Sequence, residues 1–444
     1  MKTWARHIWE SLLSSYWFVP SIMIALAAAL AVLTLWFDHT WELSTDGWYL
    51  GAYTGGPEGA RALLASIAGS AATVAGVAFS ITIATLTQAS SQFGPRLLRN
   101  FVRDRGNQIV LGTFTATFIY CILVVRAVRG ENGSEFVPNL SVTVGVMLAV
   151  ASIGVLIYFI HHTSRNLQAP IVIATAAGDL RKAVENAFCS GDQDDDRQAR
   201  QETPIDRPPP ERSRPIRAAR DGYLQAVDEE TLIKLACERD LLLTLTVRPG
   251  KFVMKHGEVA LAYPSDRCDD ELAARFSHSF IIGAQPTEEQ DIGFAILQLV
   301  EIACRAVSPA INDPFTAMEC VDWLSAAICE AADGRQPPTA RRDDRGEVRL
   351  IAPRWNFEAM VDAAFSPIRQ NARQSVLVMD RLLEQLTQIA RRVRTVPQRE
   401  AIARQLTAIE QEVRHMDIGE LESMGLDQRR RALRESLHFN DEAA

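Results

Sequence analysis

One face of a long apolar segment near the N-terminus carries small and hydroxylated side chains. These residues recur at alternating steps of four and three, which places them on one side of a helix. Because hydroxyl and amide groups on one helix face can line a water-filled path, we expect this face to line a pore. Its members are Ser66, Ser70, Thr73, Val77, Ser80, Ala84 and Thr87, followed by Gln88 and Gln92.

The same stripe has a second interpretation. In lipid, small residues let helix backbones approach closely, and hydroxyls bond across helices or to their own backbone. The stripe would then pack inside a helix bundle and contact no water. No ionisable residue lies between Arg61 and Arg96, which argues against a proton relay along this helix.

Four arginines follow this segment, Arg96, Arg99, Arg103 and Arg105. At the inner mouth of a path they would raise the local concentration of anions. The preference of Lys and Arg for the cytoplasmic side of a membrane explains the same residues. An anion preference is therefore a hypothesis only.

The string Ser308-Pro309-Ala310-Ile311-Asn312-Asp313-Pro314-Phe315-Thr316 separates two apolar helical patterns. Asn312 or Asp313 directly before Pro314 fits a helix N-cap followed by proline in the first turn. The functional alternative is that Asn312, Asp313 and Asp291 bind a cation or a regulatory ligand. No complete calcium-loop spacing is present.

Other residue types that support catalysis or metal binding lack the necessary spacing. The seven cysteines contain no C-x-x-C pair, so neither a disulfide framework nor a zinc site is predicted. His161 and His162 are adjacent and point in different directions on a helix, so we expect them to bond lipid head groups or helix ends. Without a phosphate loop, dinucleotide fingerprint or hydrolase motif, the sequence indicates no enzyme and no cofactor.

Many of the residues described above lie within or beside four apolar segments. Pro20–Phe37, Ala62–Gln88, Ile109–Val125 and Leu140–His161 approach or reach the length of about 20 residues that a membrane-spanning helix needs. Most of the Lys and Arg residues that flank them favour both termini in the cytoplasm. We therefore predict a multi-pass protein of the bacterial inner membrane. The formal net charge of -8 argues against a nucleic-acid partner.

The chain after His162 is more charged. We predict a four-span domain over 1–168, a helical exit and a disordered Asp/Arg/Pro-rich linker over 169–220, a small α+β module over 221–290 and a helical cytoplasmic region over 291–444. The apolar stripe from Ile368 to Val393 predicts one helix that Pro397 ends. The fold class is thus a membrane α-helical domain plus a helix-rich cytoplasmic α+β domain.

Several longer strings are distinctive of one family. "SSYWFVPSIM" in the first span, "SSQFGPRLLRNFVRDRGNQ" after the second, "IYFIHH" at the fourth, "DGYLQAVD" and "SPAINDPFTA" resemble the bacterial family called domain of unknown function twenty-two fifty-four. The resemblance covers nearly the whole chain. It implies an integral inner-membrane protein and supplies no activity, substrate or catalytic residue.

Four functions fit these features. The first is a homo-oligomeric ion channel or pore, with the second span lining the path and the cytoplasmic domain as vestibule or gate. The others are a non-conducting sensor or scaffold, a small-solute transporter and a membrane enzyme. Four spans are too few to enclose a wide path, so a channel requires several copies of the chain in the bilayer.

Overall fold

The computed structural model describes residues 17–40, 53, 55–97, 104–130, 136–166, 168–189, 208–416 and 419–439. The chain divides into two compact units, Met1–Ile171 and Val172–Ala444. Each unit has its own buried apolar residues, so each is described by itself.

Four long helices make up the described part of the first unit. They are α1 (Phe18–Thr40), α2 (Pro57–Phe93), α3 (Arg105–Ala127) and α4 (Asn139–Asn166). All four are long and apolar enough to cross a membrane, which confirms the four predicted helices of spanning length. With 37 residues, α2 extends over about 55 Å and exceeds the hydrocarbon core of a bilayer, about 30 Å thick.

The first unit is built around α3, which packs against α1, α2 and α4. Phe114, Tyr120 and Val124 of α3 are buried among these neighbours. α2 meets them with a row of mostly alanines, which allows the backbones to approach closely. This row consists of Ala60, Leu64, Ala68, Ala71, Ala75 and Ala78.

The second unit combines helices with two small sheets. Its described helices are α5 (Ala169–Val184), α6 (Glu229–Glu238), α7 (Asp270–His278), α8 (Ile292–Ala306), α9 (Pro314–Asp333), α10 (Phe357–Asn371), α11 (Val376–Ala390), α12 (Val396–Val413) and α13 (Glu420–Phe439). α8 packs against α9 and α10, and α11 against α9 and α13.

The strands form a five-stranded sheet in the order β1-β5-β3-β8-β7 and a three-stranded sheet in the order β4-β2-β6. Their bounds are β1 (Arg214–Arg217), β2 (Gly222–Val227), β3 (Leu242–Leu245), β4 (Phe252–Val253), β5 (Glu258–Tyr263), β6 (Phe280–Gly283), β7 (Ala340–Arg342) and β8 (Val348–Ile351). β3 and β8 pair in parallel, and the other pairs are antiparallel. The strands β7 and β8 lie within the region 291–444, where the sequence predicts helices only.

Two further expectations from the sequence were wrong. The predicted linker includes β1, because the fully buried Ile216 anchors this Arg/Pro-rich segment on the edge of the sheet; residues 190–207 lie outside the described part. The single helix predicted from Ile368 to Val393 is two helices, α10 and α11, with Ser375 as N-cap of the second. The apolar periodicity continues across the break, and Pro397 lies in the first turn of α12.

Candidate functional site

The predicted pore-lining stripe lies on the face of α2 that no other helix among the described residues covers. Ser66, Ser70, Thr73, Val77, Ser80, Ala84, Thr87, Gln88 and Gln92 are all exposed. The neighbouring stripe of Ala62, Ala65, Gly69, Ala72 and Gly76 is exposed as well. A Cβ atom added at Gly69 or Gly76 would meet no atom within 4 Å. The face is therefore open along its length within one chain.

The N-terminal half of α2 differs in exposed composition from the neighbouring helices, whereas beyond Gly76 the helix exposes Val77, Phe79, Ile81 and Ile83. Between Ala62 and Gly76 every exposed residue is Ala, Gly, Ser or Thr. α1 instead exposes Ile22, Leu26, Val32, Leu33 and Trp36, and α4 exposes Met147, Val150, Ile153, Ile157 and Ile160. Such large apolar side chains suit contact with lipid tails, whereas small ones suit close helix contact.

Hydroxyl groups on the exposed face of α2 bond to their own helix. Thr73 Oγ1 donates to Gly69 O at 2.9 Å, Ser80 Oγ to Gly76 O at 3.0 Å and Thr87 Oγ1 to Ile83 O at 2.9 Å. Each hydroxyl oxygen still has acceptor capacity directed away from the helix. The face can therefore accept hydrogen bonds from water or from a neighbouring helix.

The structure describes two of the four predicted inner-mouth arginines. Arg96 is half-buried in the short 3-10 turn Pro95–Leu97, directly after α2. Arg105 is exposed at the first residue of α3. Arg99 and Arg103 lie outside the described residues.

At the same end of the bundle, His162 joins α4 to α3. His162 Nε2 lies 2.7 Å from Asp104 Oδ2, and the ring of Tyr158 stacks on the imidazole with centroids 5.2 Å apart. Asp104 Oδ1 also accepts the backbone N–H of Gly106 at 2.9 Å as N-cap of α3. His162 thus contacts a helix end, as the sequence predicts for one of the two histidines, and His161 is exposed.

The other end holds a polar network that the sequence analysis missed. Asp38 Oδ1 accepts the N–H of Leu140 at 3.0 Å, and its Oδ2 accepts the N–H of Ser141 at 2.9 Å and the hydroxyl of Ser141 at 2.6 Å. Tyr120 OH donates to Ser141 O at 2.9 Å and lies 3.1 Å from Thr34 Oγ1. The carboxylate thereby caps the N-terminus of α4, where negative charge is favourable. In the sequence, the only feature that could have indicated this cap is an acidic residue directly after the first predicted span.

In the second unit, Asp291 is the buried N-cap of α8. Its Oδ1 accepts the N–H of Gly293 at 3.0 Å and the indole N–H of Trp355 at 2.9 Å. Burial raises the pKa of the Asp291 carboxyl, while these hydrogen bonds and the nearby Arg248 oppose that rise. The guanidinium of Arg248 stacks on Trp355, 3.7 Å from the ring centroid. Two donors and a neighbouring cation do not favour Asp291 as a cation ligand.

The Ser308–Thr316 string forms the connection between α8 and α9. Asp313 caps α9, since its Oδ1 accepts the N–H of Thr316 at 3.2 Å and its Oδ2 the hydroxyl of Thr316 at 2.6 Å. Asn312 is exposed and has a positive φ of 51°. The N-cap predicted at this position is therefore present at Asp313, and ligand binding by Asn312 and Asp313 stays a prediction. In the described ranges, no three His, Cys, Asp or Glu side chains gather in a group that could hold a metal.

Comparison with known proteins agrees with this architecture. The family described as Predicted membrane protein (DUF2254) matches residues 13–388. Uncharacterised proteins of Mycobacterium bovis and Mycobacterium tuberculosis are 33% identical over 362 residues, which cover 80% of this chain and 68% of theirs. No solved structure matches the chain. With four helices of spanning length and a match over most of its residues, the chain belongs to this family of predicted membrane proteins.

Proposed function

We propose that this membrane protein is a homo-oligomeric pore in which α2 of each copy lines the path. One observation carries the proposal: α2 exposes only Ala, Gly, Ser and Thr between Ala62 and Gly76, whereas α1 and α4 expose large apolar side chains. A surface of small and hydroxylated residues gains little from lipid contact. It suits a neighbouring helix or water.

The two stripes on this face divide these roles. The small stripe with Gly69 and Gly76 would pack on the neighbouring copy, because a second backbone can approach closely there. The hydroxyl stripe with Ser66, Ser70 and Thr73 would then face the path. The described part of one chain has four helices long and apolar enough to cross a membrane, so several copies are needed to enclose a path.

The charge pattern indicates how such a pore would treat ions. No ionisable residue occurs from Ala62 to Pro95, so the path would carry no fixed charge of its own. Arg96 and Arg105, together with Arg99 and Arg103, would favour anions at the mouth. We propose the inner membrane as location and the second unit, on the cytoplasmic side, as vestibule or gate.

A specific observation favours a second candidate, a non-conducting sensor or scaffold. The hydroxyls of Thr73, Ser80 and Thr87 already donate to their own helix, as they would in a dry contact between two copies. In that case α2 would only join the copies, and the second unit would bind a ligand or partner. A small-solute transporter would use the same exposed face.

Conductance of the purified chain in planar bilayers tests the pore proposal. We expect Val77→Trp to reduce unitary conductance at least about tenfold, because an indole on the lining face obstructs a narrow path. The matched control is Val150→Trp on α4, since both valines are exposed, by 54% and 65%. The control should conduct like the unchanged chain.

The copy number separates the pore from the scaffold. Native mass measurement in nanodiscs should give a ring of four or more copies for a pore. A dimer without current, in which Val77→Trp only weakens assembly, would contradict the pore and favour the scaffold. Equal effects of Val77→Trp and Val150→Trp on current would show that α2 does not line the path.

A further inference from the structure

The short edge strand β4 of the three-stranded sheet exposes apolar side chains. Phe252 on β4 is 55% exposed and Met254 is 71% exposed, whereas Val253 between them is buried. This alternation places Phe252 and Met254 on the same side of the strand. On the paired strand β2, the Tyr223 ring lies edge-on to Phe252 with centroids 5.2 Å apart. Tyr223, Phe252 and Met254 are together called the Phe252 tip.

Hydrogen bonds fix the backbone beneath the Phe252 tip. Gly250 N donates to Leu224 O at 2.8 Å, and Leu224 N donates to Lys251 O at 2.9 Å. Beyond the strand, Lys255 N donates to Asp221 Oδ1 at 2.7 Å. The exposure of Phe252 and Met254 therefore follows from the hydrogen-bonded pairing of β4 with β2, whose backbone bonds would break if this segment folded inward.

Basic residues flank the Phe252 tip, since Lys251 and Lys255 lie beside it in the sequence and Arg217 precedes Ala218, which bonds to His256 and Gly257 in the following turn. Arg217, Lys251 and Lys255 are exposed, and within the described part of the chain no carboxylate forms an ion pair with any of them. The acidic residues of this region are Asp221, which accepts the Lys255 amide, Glu258, opposite Arg217 in the β1–β5 register, and the buried Asp291, whose carboxylate interacts electrostatically with Lys251. The rim therefore carries unpaired positive charge beside exposed apolar groups.

We propose that the Phe252 tip docks on an anionic lipid surface. Phe252 and Met254 would enter the boundary between head groups and acyl chains, and Arg217, Lys251 and Lys255 would lie over lipid phosphates. Apolar groups rimmed by Lys and Arg are the combination that binds membrane interfaces. The spanning helices keep a bilayer within reach of the same chain, so lipid is present at high local concentration.

The size of the Phe252 tip favours lipid over a protein partner. A stable protein interface buries roughly 800 Å² on each side, which three side chains do not supply. Lipid contact needs no matching surface, because head groups and acyl chains adapt to the inserted side chains. This docking is independent of whether α2 conducts ions.

Photocrosslinking of the full chain in liposomes tests the docking. Met254→benzoylphenylalanine is introduced and illuminated in vesicles of three parts phosphatidylcholine to one part phosphatidylglycerol, and adducts are identified by mass spectrometry. Met424→benzoylphenylalanine on α13 is the matched control, because Met424 is also an exposed methionine, at 64%. We expect a lipid adduct at 254 and much less at 424.

A second experiment tests whether the lipid crosslink at residue 254 depends on charge. Lys251→Gln with Lys255→Gln should reduce the lipid adduct at least about fivefold, since each cation near an anionic surface contributes roughly that factor. Vesicles of phosphatidylcholine alone should reduce it similarly. Crosslinking of residue 254 to a second copy of the chain would overturn the proposal in favour of a protein interface. A lipid adduct no stronger than that at 424, or insensitive to charge, would also overturn it.

Discussion

Several aspartates act as helix caps in both units. Asp38, Asp104, Asp291 and Asp313 each accept at least one backbone N–H at the start of a helix. The role of Asp313 could be predicted from the sequence, because Pro314 follows it directly. The role of Asp38 could not, because its hydrogen-bond partners Leu140 and Ser141 lie more than 100 residues further along the chain.

Asp291 predicts a pH dependence of stability. Burial raises the pKa of its carboxyl above the ordinary value of 3.8, so the folded protein retains this proton to higher pH than the unfolded chain. The stability that the Asp291 carboxyl contributes is fully present below pH 3.8. It is lost as the pH rises toward the pKa of this carboxyl in the folded protein. The variant Asp291→Asn keeps an acceptor for Gly293 and Trp355 but has no such titration.

Thermal unfolding of the detergent-solubilised chain between about pH 3.5 and pH 7 measures this effect. The midpoint of the unchanged chain, relative to that of Asp291→Asn, should fall as the pH rises through this range. If the midpoint of the unchanged chain minus that of Asp291→Asn rises or stays constant with pH, a raised pKa at Asp291 is contradicted.

Among the elements, the spans were the most predictable and the surroundings of α2 the least. Length and apolar composition are properties of one segment, so four helices could be expected from the sequence alone. Periodicity identified the stripe from Ser66 to Thr87 as one helix face. It could not decide whether another helix covers that face, because this depends on which side of α2 contacts α3. The row of Ala68, Ala71 and Ala75 makes that contact.

The turn between β3 and β4 supplies a prediction at the same scale. Gly250 has φ +88°, and a Cβ there would lie 2.0 Å from Asp291 Oδ2. Gly346 has a similar φ of +82° but open space around it. Gly346→Ala should lower the free energy of unfolding by about 1 kcal/mol through backbone strain alone. Gly250→Ala should cost at least about 1–2 kcal/mol more, because the carboxylate that caps α8 must move.

Chemical unfolding followed by circular dichroism compares these two variants. Equal losses of stability would show that Asp291 leaves its position without cost. The turn would then not hold the cap of α8 in place.

For the molecule as a whole, the sequence indicated the charged second unit and a small α+β module within it, but not that one sheet extends to β7 and β8. The sheet joins β3 to β8, which lies about 100 residues later, and short strands separated by helices leave no local signal of such pairing. Membership of a membrane-protein family leaves the side of the membrane for experiment.

Reporter fusions determine that side. Because most Lys and Arg residues flanking the spans favour cytoplasmic termini, green fluorescent protein fused after Ala444 should fluoresce in cells. Alkaline phosphatase at the same position should be inactive, whereas phosphatase inserted between α1 and α2 should be active. The reverse pattern would place the second unit outside the cytoplasm and remove the basis for a cytoplasmic gate.

Polar bonds join all four spanning helices at one end of the bundle. Arg61 of α2 donates to Val128 O after α3 at 2.8 Å, and Asp38 and Tyr120 link α1, α3 and α4 beside it. These bonds hold the four helices together at that end, and α2 extends furthest from it. Phe93 lies 32 residues beyond Arg61, about 48 Å along the helix, so a tilt of ten degrees that preserved the Arg61 bond would move Phe93 by about 8 Å. A small change of tilt at the Arg61 end would thus become a displacement of several ångströms at the Phe93 end.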